Sequence, residues 1–136
     1  MALSLGIKKL IIRLMRRYSL KWSPRSKAKK RVFVKKEGRK HIYECECCNG
    51  HFMAKEVEAD HIDTVVPLHL SQDEITLDEY AERLFVGIDG YQILCVECHG
   101  VKTDIENTLR TEFSKGLLTK KELYVKLDEQ LSTARS

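Results

Sequence analysis

The chain has 136 residues, of which 43% are hydrophobic, and its formal net charge is +4. This length predicts one compact domain with flanking segments. No apolar run is long enough to span a bilayer, and charges interrupt the apolar residues near the N-terminus, which argues against a secretory signal and for a protein that stays in the cytoplasm.

The positive charge is concentrated in one part of the chain. Residues 8–40 contain 15 Lys or Arg and a single acidic residue, Glu37, a net charge of +14, whereas the remaining residues carry −10. Lys and Arg along a phosphate backbone release condensed counterions whatever the base sequence. Nucleic acid is therefore the leading candidate partner.

The first predicted element is an amphipathic helix over residues 3–20. Its predicted buried stripe follows helical spacing, with five Lys and Arg residues lying off it. Such a helix either packs on the protein with a solvated basic face or lies on a membrane surface. The next segment, "SPRSKAKKR", predicts a flexible or weakly helical basic linker, preceded by Trp22, which either stacks on a base or anchors the linker. The apolar stripe of the first helix comprises Ile7, Leu10, Ile11, Leu14 and Tyr18.

The later elements are short. "KHIYECECCNGHF" predicts a hairpin or zinc knuckle, and "KEVEADHIDTVVP" predicts a strand ending near Pro67. A capping-box pattern at Thr76 predicts a helix over residues 76–86, and a second strand follows at Tyr91–Leu94. A further helix should begin near Cys98, and a last one should begin near residue 119. The leucine stripe of the last helix, Leu123, Leu127 and Leu131, is predicted to pack in the core, with an oligomer interface as the lesser option.

Four of the five cysteines form two Cys-x-x-Cys pairs, with 46 residues between the pairs. Such pairs bring four thiolates around zinc and leave no open position, so the predicted zinc is structural. Cys47 or His51 could in principle replace one ligand. The predicted ligands are Cys45, Cys48, Cys95 and Cys98.

A closed four-Cys site leaves His99, directly after the last cysteine, free for a second metal. Asp60 and His61 are neighbours on a predicted strand, so their side chains should point to opposite faces. Asp60 and His99 could then hold a divalent cation while His61 acts as general base toward water. The alternative is that both histidines are only hydrogen-bonded polar residues. His41 and His69 lack a partner at ligand spacing and are predicted to lie on the surface or in loops.

The motifs "YECECC", "KEVEADHIDTVVP" and "YAERLFVGIDGYQILCVECHGVKT", spanning about residues 43–107, closely resemble the HNH endonucleases, especially the zinc-ribbon type found in bacteriophages. The resemblance implies a ββα-metal core in which His61 is the general base and Asp60 and His99 bind the catalytic Mg²⁺ or Mn²⁺. It also assigns the four paired cysteines to structural zinc, implies products with a 5′-phosphate and a 3′-hydroxyl, and places the protein in a bacterial host cell.

One position departs from the family pattern. Gly90 stands where members of the family usually carry Asn, and the neighbouring Asp89 is expected to supply an oxygen to the same loop or metal. Lys102, one helical turn beyond His99, matches the family and is predicted either to touch phosphate or to be a solvated surface lysine.

Together with these observations, the resemblance implies an α+β protein with a small ββα-metal (HNH) core and a four-Cys zinc ribbon, flanked by N- and C-terminal helices. The predicted divisions are a basic DNA-binding arm (1–40), the nuclease core (41–115) and a packing helix (116–136). The predicted function is metal-dependent DNA cleavage by a monomer or homodimer, with phage packaging proteins as further candidate partners. The alternative is a zinc-ribbon DNA-binding protein with weak or lost catalysis. The arm residues expected on DNA are Arg25, Lys27, Lys29, Lys30 and Arg31.

Overall fold

In the computed structural model, which describes residues 3–134, the chain forms five helices and two small antiparallel sheets. The predicted α+β class is confirmed. No helix among the described residues is long and apolar enough to cross a membrane. The helices are α1 (Leu5–Ser19), α2 (Ser23–Arg31), α3 (Leu77–Leu84), α4 (Val96–Ser114) and α5 (Lys120–Ala134). The strands are β1 (Phe33–Glu37), β2 (Lys40–Glu44), β3 (His51–Met53), β4 (Val57–His61) and β5 (Tyr91–Cys95).

The two sheets carry different parts of the sequence pattern. Strands β1, β2 and β3 form one sheet in that order, and the β2–β3 hairpin places Tyr43 opposite Phe52, as the predicted knuckle requires. Strand β1 was not predicted, because all five of its side chains are exposed and give no alternating pattern. The second sheet pairs β4 with β5, placing Asp60 opposite Gln92 and His61 opposite Tyr91.

Helix α1 exists as predicted, but it docks through a different face. Its buried apolar side chain is Ile12, which packs with Ile75, Tyr80 and Leu84 around α3. The predicted stripe instead faces solvent for the most part, since Leu10 is 48% exposed. The apolar face of α1 is wider than the surface that α3 covers. Periodicity alone therefore identified the apolar face of the helix, but not which half of that face is buried. The membrane-surface alternative for this helix stays a prediction.

The docking face of α1 gives a stability prediction. We expect Ile12→Ala to lower the free energy of unfolding by about 2–5 kcal/mol, because it leaves a cavity among buried side chains. Leu10→Ala on the exposed half of the same helix should change it by less than about 0.5 kcal/mol. Urea unfolding of both variants, monitored by circular dichroism, measures the difference. A larger loss for Leu10→Ala would mean that the stripe predicted from sequence is the docked face.

The basic segment after α1 is a helix and not a flexible linker. Pro24 lies in the first turn of α2, where its missing N–H costs nothing, and Ala28 is fully buried against Tyr43, Val57 and Tyr91. Trp22 anchors the segment, because its indole Nε1–H donates to the Val86 carbonyl at 2.7 Å. The N-terminal segment therefore packs on the two sheets and places α2 beside β4 and β5.

The C-terminal half follows the predicted capping signals. Thr76 caps α3 by accepting from the Glu79 N–H, and Thr119 and Glu122 exchange both capping-box hydrogen bonds at the start of α5. Leu123 is fully buried with Leu109 of α4, which confirms that the last two helices pack together. Helix α4 begins at Val96, two residues before the predicted start, because Cys95 is its N-cap.

Candidate functional site

The four paired cysteines meet where the two sheets adjoin. Cys45 and Cys48 lie in the loop that follows β2. Cys95 is the last residue of β5, and Cys98 lies in the first turn of α4. All four Sγ atoms are within 4.8 Å of one another, and no disulfide links them. Cys45 is fully buried, whereas Cys48 is exposed. Four thiol sulfurs at these separations fit a structural metal such as zinc.

Backbone hydrogen bonds favour the thiolate form of Cys45, whereas burial raises the pKa of Cys98 in the same cluster. The Sγ of Cys45 accepts from the N–H groups of Cys47 and Cys95, and the Sγ of Cys95 accepts from the N–H of Cys98. Burial raises the pKa of Cys45, but the backbone N–H donors outweigh it and bring that pKa to about 7. N–H groups directed at sulfur stabilise the thiolate, which is the form that binds metal.

The two alternative ligands lie outside the cluster of four. Cys47 packs against the cluster without joining the set of sulfurs that lie within 4.8 Å of one another. His51 is exposed, and its Nε2 lies 3.4 Å from a Glu44 carboxylate oxygen. The geometry therefore favours the paired cysteines as the ligand set.

A second group of polar side chains lines a cleft of about 460 Å³ beside β4. Strand β4 contributes alternate residues to two sides, and α4 and α2 close the cleft around them. Three of the four residues predicted to be catalytic lie here, together with basic and acidic side chains from α1, α2 and α4. The charged and histidine residues of the cleft are Arg16, Arg25, Glu58, Asp60, His61, His99, Lys102, Glu106 and Arg110.

Asp60 and His99 face each other across the cleft floor, with 3.6 Å between Asp60 Oδ1 and His99 Nε2. That separation allows one cation to contact both atoms. The other ring nitrogen, Nδ1, lies 3.7 Å from a Glu58 carboxylate oxygen. A carboxylate beside Nδ1 favours the tautomer whose Nε2 lone pair points to a metal. Glu58 was not predicted, although its position two residues before Asp60 places both on one face of β4.

His61 is held on the other side of β4. Its Nε2 lies 2.8 Å from the Leu84 carbonyl oxygen, and its ring packs on Tyr91 with 4.9 Å between the ring centroids. A carbonyl only accepts, so Nε2 carries the proton and Nδ1 keeps the lone pair. Burial lowers the pKa of His61, against the opposing effects of the Leu84 hydrogen bond and the Asp60 charge. The Leu84 hydrogen bond therefore leaves Nδ1 as the ring atom that can accept a proton.

Lys102 is buried, so it is not the solvated surface lysine that was one of its two predicted states. Its side chain is only 8% exposed, and its Nζ lies 2.6 Å from Asp60 Oδ2, 3.0 Å from the His61 carbonyl and 3.3 Å from Glu106. An ammonium has three donors, and each has an acceptor here. The predicted contact of Lys102 with phosphate stays a prediction. Burial raises the pKa of Glu106, and the Lys102 ammonium opposes that shift.

Asp89 lies apart from these groups. Its side chain is fully exposed, it is absent from the cleft lining, and its nearest charged partner is Arg31 at 3.7 Å. The structure therefore does not bring Asp89 together with Asp60, His61 and His99, and its predicted role as an oxygen donor stays a prediction. Gly90 has a steric reason for lacking a side chain, because a Cβ there would lie 2.5 Å from the Val86 Cβ.

The predicted DNA contacts of the arm divide into two groups. Lys29 donates to the Ala54 carbonyl, and Arg31 pairs with Glu46 at 2.8 Å, so both are committed to the fold. Arg25 is half-buried and lines the cleft, while Lys27 and Lys30 are exposed on α2. Arg16 also lines the cleft, and sequence reasoning missed it because it treated the basic face of α1 as solvated.

Comparisons with known proteins give no relative from which to transfer a function: no protein-family model matches the chain, and neither a curated protein nor a solved structure matches it. The functional argument therefore depends on the chain's own residues.

Proposed function

We propose that the protein is a metal-dependent endonuclease of the HNH type that hydrolyses phosphodiester bonds in DNA. The observation that carries the proposal is that Asp60, His61 and His99 all line one cleft, although Asp60 and His99 lie 39 positions apart along the chain. A pair of ligand atoms, an imidazole with a free ring nitrogen and guanidinium groups in one cleft are the parts that phosphodiester hydrolysis needs.

Each group has a role in the proposed reaction. Asp60 and His99 would hold Mg²⁺ or Mn²⁺, which when bound stabilises negative charge on the phosphate and on the leaving oxygen. His61 accepts a proton from the attacking water at Nδ1, while Leu84 fixes its ring through Nε2. Arg25 and Arg16 contribute positive charge where the scissile phosphate enters the cleft. The expected products carry a 5′-phosphate and a 3′-hydroxyl.

The proposal is tested by cleavage of a labelled DNA duplex by zinc-loaded protein with added Mg²⁺, Mn²⁺ or neither. Wild-type protein should cut only with added metal, and Asp60→Asn and His99→Ala should abolish cutting while keeping their zinc. Asp63→Asn is the matched control, because Asp63 is exposed and lies outside the cleft. Undiminished cutting by Asp60→Asn would exclude this cleft as the active site.

Arg25 and Lys27 on helix α2 provide a paired prediction. We expect Arg25→Ala to lower the cleavage rate about 10²-fold, because a cation next to the developing phosphate charge is lost. Lys27→Ala, on the exposed part of the same helix, should instead weaken DNA binding evenly across sequences and reduce the salt dependence by about one counterion. Single-turnover rates and binding isotherms at several salt concentrations separate the two effects. Equal effects of both substitutions on rate would contradict a role for Arg25 in the cleft.

A second candidate function is DNA binding through the zinc-stabilised fold with weak or lost catalysis. Two observations favour it: Gly90 leaves no side chain at the position of the usual Asn, and Asp89 does not replace that side chain. This candidate predicts a gel shift that weakens steeply with salt, and no strand scission with either metal. DNA binding and cleavage measured on the same zinc-loaded sample distinguish the two functions.

A further inference from the structure

The buried ammonium of Lys102 lies between the two halves of the candidate site. It belongs to α4, and all three of its acceptors are protein atoms: Asp60 Oδ2, the Glu106 carboxylate and the His61 carbonyl. The acceptors on β4 come from two consecutive residues that point to opposite sides of the strand. One side chain therefore fixes α4 to the end of β4 at the two residues that the proposed reaction uses.

The two oxygens of Asp60 have different surroundings. Oδ2 accepts from Lys102 Nζ at 2.6 Å and from Gln92 Nε2 at 3.3 Å, whereas Oδ1 lies 3.6 Å from His99 Nε2. Rotation of the carboxylate would break both hydrogen bonds at Oδ2. The carboxylate is therefore held with one oxygen saturated and the other directed at the ring nitrogen across the cleft floor.

Glu106 keeps Lys102 in this position. It lies one turn further along α4, only 14% of its side chain is exposed, and its Oε2 is 3.3 Å from Nζ. A buried ammonium is costly unless its charge is paired and its donors are satisfied. With Glu106 and Asp60 on either side, Lys102 has no electrostatic reason to leave the site for a solvated phosphate.

We propose that Lys102 is a positioning residue, which with Gln92 orients Asp60 so that a single carboxylate oxygen is presented to the metal. Glu106 holds the Lys102 ammonium in place. The hydrogen bond from Lys102 to the His61 carbonyl fixes the backbone between the metal ligand Asp60 and the base His61. The role rests on the proposed function, since it concerns the same cleft. It differs from the phosphate contact that the sequence suggested, because a phosphate contact changes DNA affinity and a positioning residue changes the rate of the bound complex.

The test compares three variants of the zinc-loaded full chain. Lys102→Met removes the ammonium. Gln92→Leu removes one hydrogen bond to Asp60 without changing any charge, so Gln92→Leu is the variant to use if Lys102→Met fails to fold. Lys115→Met is the matched control, because Lys115 is exposed at the end of the same helix. The readouts are the maximal cleavage rate, DNA affinity as a function of salt, and Mn²⁺ affinity without DNA, followed by electron paramagnetic resonance.

We expect Lys102→Met to lower the maximal rate about 10- to 100-fold, as loss of groups that orient metal ligands typically does, with DNA affinity and its salt dependence unchanged. Gln92→Leu should weaken Mn²⁺ binding measurably, and Lys115→Met should match wild type in all three readouts. Weaker DNA binding by Lys102→Met, with a salt dependence reduced by about one counterion, would overturn the proposal in favour of a phosphate contact. Wild-type Mn²⁺ affinity in Gln92→Leu would also overturn it.

These outcomes separate this proposal from the proposed function. If wild-type protein binds Mn²⁺ at Asp60 but cuts no DNA, the nuclease proposal fails, and the Gln92→Leu titration still decides the positioning role. If wild-type protein cuts DNA, and Lys102→Met and Gln92→Leu leave the cleavage rate and the Mn²⁺ affinity unchanged, the nuclease proposal stands and the positioning role is wrong.

Discussion

Cys95→Ser is expected to abolish both zinc binding and the cooperative fold. The Cys95 sulfur lies at the junction of β5 and α4 and belongs to the cluster that joins the two small sheets. Structural zinc in small domains contributes on the order of 10–16 kcal/mol, whereas the whole stability of a domain is about 5–15 kcal/mol. Loss of one thiolate ligand should therefore leave too little free energy to hold β4, β5 and α4 together.

The measurement is the zinc-to-protein ratio of purified protein, with thermal unfolding followed by circular dichroism. Cys47→Ser is the matched control: Cys47 lies in the same loop and packs on the cluster without being one of the four. It should keep one zinc and a wild-type unfolding curve. A Cys95→Ser protein that retains one zinc and a cooperative transition would contradict the four-Cys assignment, and so would loss of zinc from Cys47→Ser.

His61→Ala is expected to reduce cleavage about 10²- to 10⁴-fold, which is the contribution that a positioned acid or base usually makes. The substitution removes the ring nitrogen that would accept the proton from water. It leaves the Asp60 and His99 pair and the cysteine cluster in place, so zinc content and DNA affinity should be unchanged. Single-turnover cleavage of a labelled duplex with saturating Mg²⁺ measures the rate without interference from product release.

The control for this variant is His41→Ala. His41 is exposed on β2, and its ring contacts only Phe33 among the aromatic side chains of the described residues, with 5.7 Å between centroids. It should cut DNA at the wild-type rate. A His61→Ala protein that cuts as fast as His41→Ala would remove His61 from the mechanism, even if the cleft remained the site of cleavage.

Local signals in the sequence predicted a large part of the fold. Thr76 and Thr119 mark helix starts through hydrogen bonds that depend only on residues three positions apart, so their helices could be predicted without tertiary information. The cysteine spacing predicted the cluster because metal ligation needs specific residue types. The capped helices and the cysteine cluster are confirmed by the structure.

The misses have a common physical origin in tertiary packing. Helix α2 has no amphipathic period, and its one buried residue is Ala28, beneath a surface of Lys and Arg. The buried face of α1 depends on where α3 lies, so Ile12 could not be separated from Leu10 by periodicity. Each outcome is decided by neighbours that are distant in sequence.

The candidate site was predicted unevenly for the same reason. Asp60, His61 and His99 were chosen for their chemistry and spacing, and the cleft contains all three. Lys102 and Asp89 were assigned by position in a motif, but their surroundings depend on neighbours that are distant in sequence. Two partly buried carboxylates hold Lys102, and Arg31 lies beside Asp89 outside the cleft. Glu58 had a usable signal in the two-residue period of β4, which places it on the face of Asp60.

The most direct measurement of the central claim is conversion of supercoiled plasmid by zinc-loaded wild-type protein at low salt, with Mg²⁺, Mn²⁺ or EDTA, beside His61→Ala. The predicted result is nicked or linear plasmid when wild-type protein is given Mg²⁺ or Mn²⁺. Plasmid should stay supercoiled with EDTA, and also with His61→Ala in the presence of either metal. Plasmid that stays supercoiled with both metals, while the same protein holds zinc and shifts DNA on a gel, would contradict the nuclease and leave the DNA-binding function.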